Sequence, residues 1–589
     1  MNDKLKSQIK RQISQAKIVS FDIFDTLLVR PYVKPTDLFK HMEKHYGIPG
    51  FAEHRISAEL KAREKIHPDV TLDDIYNEID NKYKSLKEKE LQWEKMVLRP
   101  NPFIADIYNF AKSAGKEIII ASDMYLPTEF IQQILTKNNF TGYNRLYVSG
   151  DLGITKENGT MYEAIIRATN VNPNKILHIC DNRHSDFTVP RSYGIKSILI
   201  PKIFNQYLEQ SVRAQRFFET HKHNVGSSIL LSMIAIHKNN NITNNYWAEL
   251  GYEYCGPTVY GYTKWIEGAV KRYEVNNLFF IARDGYTLHR VFNMFNKDVK
   301  NRYVYAPRFM NIAVKNSKET LSHYTKYLNK MTNSKDKIAI VDTISSGSLS
   351  SQTLLENVLN KHILGFYWSV EHSNDNYAYA EFRPNNIEHH KVFTKNWNFM
   401  EFLMTAPEHP IKGLDADGRP IYDKNPSKNE QIRSRVYPFV SDGAVDFAKD
   451  IIDIFGDIDI YFNEDVIIDW INYFCDFPTK IDIENMRHIQ HAYDAEHSKY
   501  IPLFVANISL LSIFLHPIKT KKLLKQSKWK TPMQNAFLIL LSPIKIKING
   551  IKRIRIFLFP KLKHKLFGIS LCLFDNYIYQ FVIGKQEEL

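Results

Sequence analysis

Short unbroken apolar runs alternate with stretches in which an apolar residue recurs every third or fourth position over residues 15–205. The first kind of segment reads as a buried strand and the second as an amphipathic helix. Strands are predicted over 17–29, running into a loop ("KIVSFDIFDTLLV"), 116–126 ("KEIIIASDMYL"), 145–150 ("RLYVSG"), 175–182 ("KILHICDN") and 196–201 ("KSILIP"). Helices fall between them at 127–137 and 159–169, and a Lys-, Glu- and Leu-rich helical insert occupies 36–98. Alternating strand and helix implies an α/β fold, a parallel sheet with helices on both faces. Residues 206–236 read as helical, and "HKNNNITNN" at 237–245 reads as a linker. The strand pattern then resumes at 276–285 ("NNLFFIARDG"), 336–359 (strand, Ser/Gly loop, helix) and 362–370 ("HILGFYWSV"). Residues 413–429 read as a loop, and from 430 the pattern is mostly helical. The expected organisation is an α/β domain at 15–205 with a helical cap at about 32–100, and a helical linker at 206–245. A second α/β domain at 246–412, a helical domain at 430–516 and a basic apolar tail at 517–589 follow.

Composition adds two constraints. Hydrophobic content of 44% and charged content of 24% are those of an ordinary globular protein. Cys180, Cys255, Cys475 and Cys572 lie far apart without a CxxC pair, which argues against a disulfide framework or a zinc site and for a reducing compartment. The basic N-terminus has no apolar leader core, so a cytoplasmic location is expected. The net charge of +14 belongs to one region: residues 497–574 hold 15 Lys or Arg and no acid, whereas the remainder holds 63 basic and 64 acidic residues. The apolar run 501–518 is barely long enough to span a bilayer and carries Pro502 and Asn507. The basic and apolar segments of 517–566 suit either a helical domain with a basic solvated face or an interfacial helix on an anionic membrane, at its inner face. No nucleic-acid partner is expected, because no recognised binding motif accompanies the charge.

The strand ends carry polar groups in a fixed order: Asp22, Ser122, then Lys156 in "GITKENG", then Asp181 and Asp186 in "CDNRHSD". Each has work to do on a phosphoryl group. A carboxylate serves as nucleophile, and a hydroxyl and a lysine hold phosphate oxygens. Two further carboxylates near the nucleophile call for a hard cation, and magnesium takes such oxygen ligands.

The four segments "SFDIFDTLL", "IIIASD", "GITKENG" and "HICDNRHSD" resemble the haloacid dehalogenase-like (HAD) superfamily over about residues 15–205. The resemblance implies a Rossmann-like core with Asp22 as nucleophile and Ser122 and Lys156 on phosphate. It implies Mg2+ held by Asp22, Asp181 and the backbone carbonyl of Phe24, with Asp186 in support, and it makes the insert a substrate-selecting cap. The phosphatase branch carries a general-acid Asp two places after the nucleophile, where this chain has Phe24. Asp25, one place later, is the substitute acid if the loop is displaced. The function implied is a magnesium-dependent hydrolase or phosphotransferase acting on a phosphorylated small molecule or sugar phosphate. The alternative is a HAD fold kept as a binding scaffold.

A second constellation lies further on. Arg283 and Asp284 end one strand of the 246–412 region, and Asp342 ends another before a loop containing Gly347 and Ser348. The bland reading is a salt-bridged turn and a capped helix. The functional reading is a second phosphate or nucleotide-sugar site, since N–H groups at a helix start suit anions. The loop resembles the diphosphate loop of type I phosphoribosyltransferases, though Val341 replaces one of that loop's paired acids, and this implies glycosyl or phosphoribosyl transfer as an alternative chemistry. Residues 15 to about 410 together resemble bacterial multidomain HAD proteins of surface-polysaccharide biosynthesis.

Overall fold

The structure, a computed structural model, describes residues 3–240, 245–296, 298–345, 347–372, 374–382, 397–492, 500–503, 544–546 and 554–556. The chain divides into two compact units, Met1–Asn244 with Phe447–Val466, and Asn245–Asp446 with Ile467–Leu589.

In the first unit, five strands form the sheet: β1 (Ile18–Phe21), β2 (Glu117–Ser122), β3 (Arg145–Val148), β4 (Ile176–Cys180) and β5 (Lys196–Leu199). Their order is β3-β2-β1-β4-β5, and every neighbouring pair is parallel. β1 and β4 are buried along their whole length, as expected of strands covered on both faces. The chain builds β1 to β3 toward one edge, then returns beside β1 with β4. The strand order therefore reverses between β1 and β4, where open α/β sheets place their ligands, outside the carboxyl ends. This is the Rossmann-like core that the resemblance implied.

The insert between β1 and β2 is helical: α1 (Asp37–Tyr46), α2 (Phe51–Lys65), α3 (Leu72–Glu78) and α4 (Lys87–Val97). A capping box between Thr71 and Asp74 starts α3. The two-residue ribbon pairing Leu28–Val29 with Arg99–Pro100 ties the two points where the insert leaves the core. Residues 447–466 pack against this region: His41 Nε2 lies 2.7 Å from the Asp459 carbonyl oxygen, and Arg99 Nη2 donates to the Asp453 carbonyl at 2.8 Å.

The second unit holds β6 (Asn277–Ile281), β7 (Lys300–Val304), β8 (Ile338–Ser345), β9 (Leu364–Val370) and β10 (Tyr379–Glu381), in the order β10-β9-β8-β6-β7. All four pairings are parallel. Here the order reverses between β6 and β8.

Several expectations need correction. The stretch expected as a helical linker at 206–245 is largely helical over its described residues, and it falls within the first unit as far as Asn244. Its helices are Ile203–Gln210, Val212–His221 and Val225–Asn240, the last burying Val225 to Ala235. Residues 430–516 are not a unit of their own: the helix Lys428–Phe455 runs on past Asp446, so 447–466 fall in the first unit and the rest in the second. An amphipathic helix carries no mark of which core it covers. The 413–429 loop contains part of an antiparallel ribbon, Ile411–Leu414 with Pro420–Tyr422. Asp415 Oδ1 closes it by accepting the N–H groups of Asp417 and Arg419 at 2.9 and 2.8 Å. Edge strands β7 and β10 went unpredicted because partly exposed edges need no apolar run. Cys180, Cys255 and Cys475 are buried and take part in no disulfide among the described residues. Most of the 517–589 tail, with the membrane contact expected of it, lies outside the described residues. Among the described residues, no helix is long and apolar enough to cross a membrane.

Candidate active site

Register brings the first constellation together. Phe21 lies opposite Ile120 on one side and Ile179 on the other. Asp22, Ser122 and Asp181 therefore leave the sheet at the same edge within one residue of each other. Asp22 still belongs to the ladder, donating its N–H to the Ile179 carbonyl at 3.1 Å. Lys156 comes from the loop after β3, and Asp123 anchors that loop. The Asp123 carboxylate accepts the Lys156 N–H at 2.8 and 3.1 Å and the Glu157 N–H at 3.1 Å.

The Lys156 ammonium donates to Asp22 Oδ1 at 2.5 Å and pairs with Asp186 Oδ1. All three side chains are buried, and Ser122 is only 1% exposed. Among the described residues, no hydrogen bond occupies the second oxygen of Asp22. Burial pushes the Asp22 carboxyl well above its ordinary range; Lys156 opposes this, and Asp186 and Asp181 reinforce it. Asp186 goes the other way. Burial raises it, but Lys156 and the His178 hydrogen bond outweigh burial and hold it well below the usual value. The Lys156 ammonium, despite burial, is held well above its ordinary value by Asp186 and Asp22. At neutral pH the site thus holds a firmly charged lysine between an ionised Asp186 and a carboxyl whose charge needs a further cation.

His178 went unrecognised in the sequence. Its Nδ1 lies 2.9 Å from Ser20 Oγ and its Nε2 3.1 Å from Asp186 Oδ1, so it fixes the rotamer of Asp186. The signal was a polar residue inside an otherwise apolar strand. Ser185 adds a hydrogen bond to Asp186 Oδ2 at 2.7 Å. The Cys180 thiol, beside Asp181 in sequence, donates to the Asp186 carbonyl at 3.1 Å and behaves as a packed small residue.

Phe24 is partly buried, and the Arg30 guanidinium lies 4.4 Å from its ring centroid. Arg30 in turn pairs with Glu94 of α4 at 2.9 Å, linking this loop to the cap. Asp25 has a left-handed backbone, φ 58°, and its carboxylate pairs with Lys202 at 2.9 Å. The same ammonium lies 3.0 Å from Asp181 Oδ2, while Thr26 Oγ1 donates to Asp181 Oδ1 at 3.2 Å. Lys202, just beyond β5, is the second residue that sequence reasoning missed. Asp25 Oδ2 thus accepts a hydrogen bond from the Lys202 ammonium.

Among the described residues, no three His, Cys, Asp or Glu side chains converge as a ready-made metal cage. The expected set is leaner: two carboxylates, Asp22 and Asp181, and the carbonyl of Phe24. Few hard oxygen ligands suit magnesium, which keeps several of its waters. The charge balance also fits, since four carboxylates, Asp22, Asp25, Asp181 and Asp186, share the two ammonium groups of Lys156 and Lys202. Lys202 already neutralises part of Asp181. Lys202→Met is therefore expected to tighten Mg2+ binding severalfold in a calorimetric titration of the full chain. Weaker binding in that variant would show that Lys202 organises the ligands rather than competing with the cation.

The second constellation is brought together in part. Arg283 and Asp284 follow β6, and Asp342 sits in β8 opposite Tyr367. Thr343 Oγ1 donates to Asp284, whose carboxyl is pushed up to about 7 by burial and then by the charge of Asp342. Gly347 and Ser348 sit in a loop whose hydrogen bonds are partly internal. Ser345 Oγ accepts the Gly347 N–H and the Leu349 N–H, both at 3.2 Å, and Ser348 Oγ lies 3.0 Å from Ser350 Oγ. Two amide donors of the loop are thus already spent. Gly347 is required for another reason: with φ +103°, an added Cβ would lie 2.5 Å from the His372 carbonyl oxygen.

No family model matches the sequence, and no curated protein matches it. Among solved structures, the chain is similar to a dehalogenase at 20% identity, over 31% of this chain and 84% of that one, with a TM-score of 0.25. It is similar to L-2-haloacid dehalogenase from Xanthobacter autotrophicus at 14% identity, over 33% and 84% of the two chains, TM-score 0.25. A HAD family enzyme from Bacteroides thetaiotaomicron, in complex with magnesium and inorganic phosphate, is similar at 12% identity over 32% and 95%, TM-score 0.23. Likenesses at this level say nothing of chemistry.

Proposed function

We propose that the first unit is a magnesium-dependent phosphoryl hydrolase or phosphotransferase of HAD type, with Asp22 as nucleophile. The observation that carries this reading is the pairing of Lys156 with only one oxygen of Asp22, at 2.5 Å, at the carboxyl edge of the central strand. A carboxylate held by one oxygen presents the other for attack. The free oxygen of Asp22 forms a bond to phosphorus, the bond from phosphorus to the leaving oxygen breaks, and its electron pair departs with that oxygen. Water then attacks phosphorus, freeing phosphate and the Asp22 carboxylate. Lys156 and Ser122 hold phosphoryl oxygens through this exchange. Magnesium bound by Asp22, Asp181 and the Phe24 carbonyl would neutralise phosphoryl charge. Asp186, kept ionised by Lys156 and His178, holds the lysine in place. Sugar phosphates of envelope glycan synthesis are the proposed substrates, on the resemblance alone.

The leaving oxygen finds no general acid, because Phe24 stands where one is expected and Asp25 is paired with Lys202. A missing general acid costs about 10²–10⁴ in rate, and most for poor leaving groups. Aryl phosphates are therefore expected to turn over about 10²-fold or more faster than alkyl sugar phosphates, with Phe24→Asp narrowing the gap. Equal rates for both classes in the wild type would mean that another group delivers the proton. The test of the function itself is phosphate release from sugar and aryl phosphates with and without Mg2+. Turnover on no substrate would leave the HAD unit a binding scaffold.

A further inference from the structure

Every strand of the first sheet begins on a cation. Lys17 precedes β1, Lys116 precedes β2, Arg145 opens β3, Lys175 precedes β4 and Lys196 opens β5. Parallel pairing sets these starts side by side. The Lys17 N–H donates to the Lys175 carbonyl at 2.8 Å, and the Lys116 ammonium donates to the Ala16 carbonyl at 2.7 Å. Ile119 lies opposite Arg145 and Leu177 opposite Lys196, so the two outer cations stand two or three residues further along. At about 4.8 Å between strands, the row spans about 19 Å. The loops of this amino edge, residues 14–17, 113–116, 138–145, 169–175 and 193–196, hold these five cations and no Asp or Glu. The opposite, carboxyl edge gathers the carboxylates Asp22, Asp123, Asp181 and Asp186.

The fold itself explains part of this charge. Helices Pro102–Ser113, Thr128–Lys137 and Thr160–Thr169 run back against the strands and end at the amino edge, and Lys112, Lys137 and Arg167 in their last turns answer the partial negative charge there. Lys116 caps the helix Asp3–Gln15 through the Ser14 and Ala16 carbonyls, and Arg145 pairs with Glu117 at 3.6 Å. Lys17, Lys175 and Lys196 differ. They belong to no α-helix, all three are exposed, and their ammonium groups make no hydrogen bond or ion pair among the described residues. Among the described residues, no exposed large apolar side chain lies in these loops either. A protein partner's interface is built on an apolar centre, which this edge lacks. A layer of anionic headgroups needs only charge. The same chain carries 15 Lys or Arg and no acid over residues 497–574, around the apolar runs 501–518 and 531–544. Apolar runs among cations suit lipid rather than nucleic acid, and stable anchoring commonly takes two such signals.

We infer that the amino edge of the first sheet, through Lys17, Lys175 and Lys196, docks on an anionic lipid surface and so turns the carboxyl edge, with Asp22, toward the aqueous side. Negative headgroups attract the one edge and repel the carboxylates of the other, so charge sets the orientation as well as the contact. The docking does not depend on the chemistry of Asp22.

The test sediments the full chain with vesicles of phosphatidylcholine containing about 30% phosphatidylserine, and with phosphatidylcholine alone. Binding is expected to the charged vesicles only. Because the 497–574 segment is itself basic, the variants decide. Lys17→Glu, Lys175→Glu and Lys196→Glu together should lower the partition coefficient tenfold or more, and Gln at the same three positions should give an intermediate loss. Reversing three exposed lysines of the cap, Lys61, Lys82 and Lys84, makes the same change in net charge and should leave binding within twofold. The melting temperature of the edge variant should match the wild type, since its three ammonium groups hold no partner. The inference is overturned if the wild type does not bind charged vesicles, if the edge variant binds them as the wild type does, or if the cap variant loses as much. It is overturned too if the edge variant loses affinity for a short DNA duplex as strongly as for vesicles, the mark of a surface for any polyanion.

Discussion

Asp22→Asn is expected to lower magnesium-dependent phosphate release by at least about 10³-fold, the scale on which loss of a catalytic nucleophile is felt. The amide cannot form the acyl-phosphate, while its shape keeps the Lys156 contact and the Asp22 N–H bond to Ile179. Stability should move the other way. Burial raises the Asp22 carboxyl, Lys156 pulls it down, and Asp186 and Asp181 push it up again, with a net upward shift. The folded state therefore holds this proton more tightly than the unfolded chain, whose carboxylate titrates near about 3.9. As pH rises through the window between those two values, the charged carboxylate costs folding stability, and at neutral pH without metal that cost is present in full if the folded value lies below neutrality and in part if above. Asparagine escapes it. The variant should then melt no lower than the wild type at pH 7 in chelator, with the difference vanishing toward pH 3. Residual turnover above one part in about 10² would remove Asp22 from the nucleophile role. A large fall in melting temperature would mean that lost activity reports unfolding instead.

The largest effect on stability is expected at Arg55. Its side chain is fully buried in the cap, between α2 and α4, where Nε and Nη2 each donate to Glu90 at 2.8 Å. The Tyr76 hydroxyl donates to the same carboxylate at 2.8 Å. The guanidinium also lies 4.7 Å from the Phe39 ring centroid and 4.9 Å from that of Tyr125. Breaking a buried pair by removing one partner leaves an uncompensated charge and costs about 3–5 kcal/mol. Arg55→Met should therefore destabilise the first unit by that amount, roughly 6–20 °C in its transition. Exposure of α2 and α4 amides to hydrogen exchange would identify the transition. The double variant Arg55→Met with Glu90→Leu should lose less than the two single losses added together, because it strands no charge. A shift below about 1 kcal/mol in the single variant would show that water reaches the pair and solvates what remains. Tyr125 follows the Ser122–Asp123 turn, so loosening Arg55 should also lower turnover by disturbing that turn.

Much of this was legible in one dimension. All five strands of the first sheet were predicted within a few residues, because a parallel strand covered on both faces must be a short continuous apolar run. The polar residues ending those runs marked one edge of the sheet, where Lys156 meets Asp22 and Asp186. Edge strands β7 and β10 and the Ile411–Tyr422 ribbon were not legible, since a partly exposed strand leaves only a weak pattern.

Three things were decided by tertiary structure alone. Glu90 and Glu94 sit in a Lys- and Glu-rich stretch that reads as a solvated surface, yet both are buried, because their partners Arg55 and Arg30 arrive from elsewhere in the chain. Lys202 and His178 became site residues only when β4 and β5 were laid beside β1, bringing Lys202 to Asp25 and Asp181 and His178 to Ser20 and Asp186. Arg433 reached Arg283 across 150 residues of sequence through their shared hold on Glu430. The physical reason is the same each time. Periodicity reports whether a residue faces a core, and strand-end chemistry reports what a single segment offers. A charge's partner is set by packing between segments, and with it whether that charge is solvated or paired.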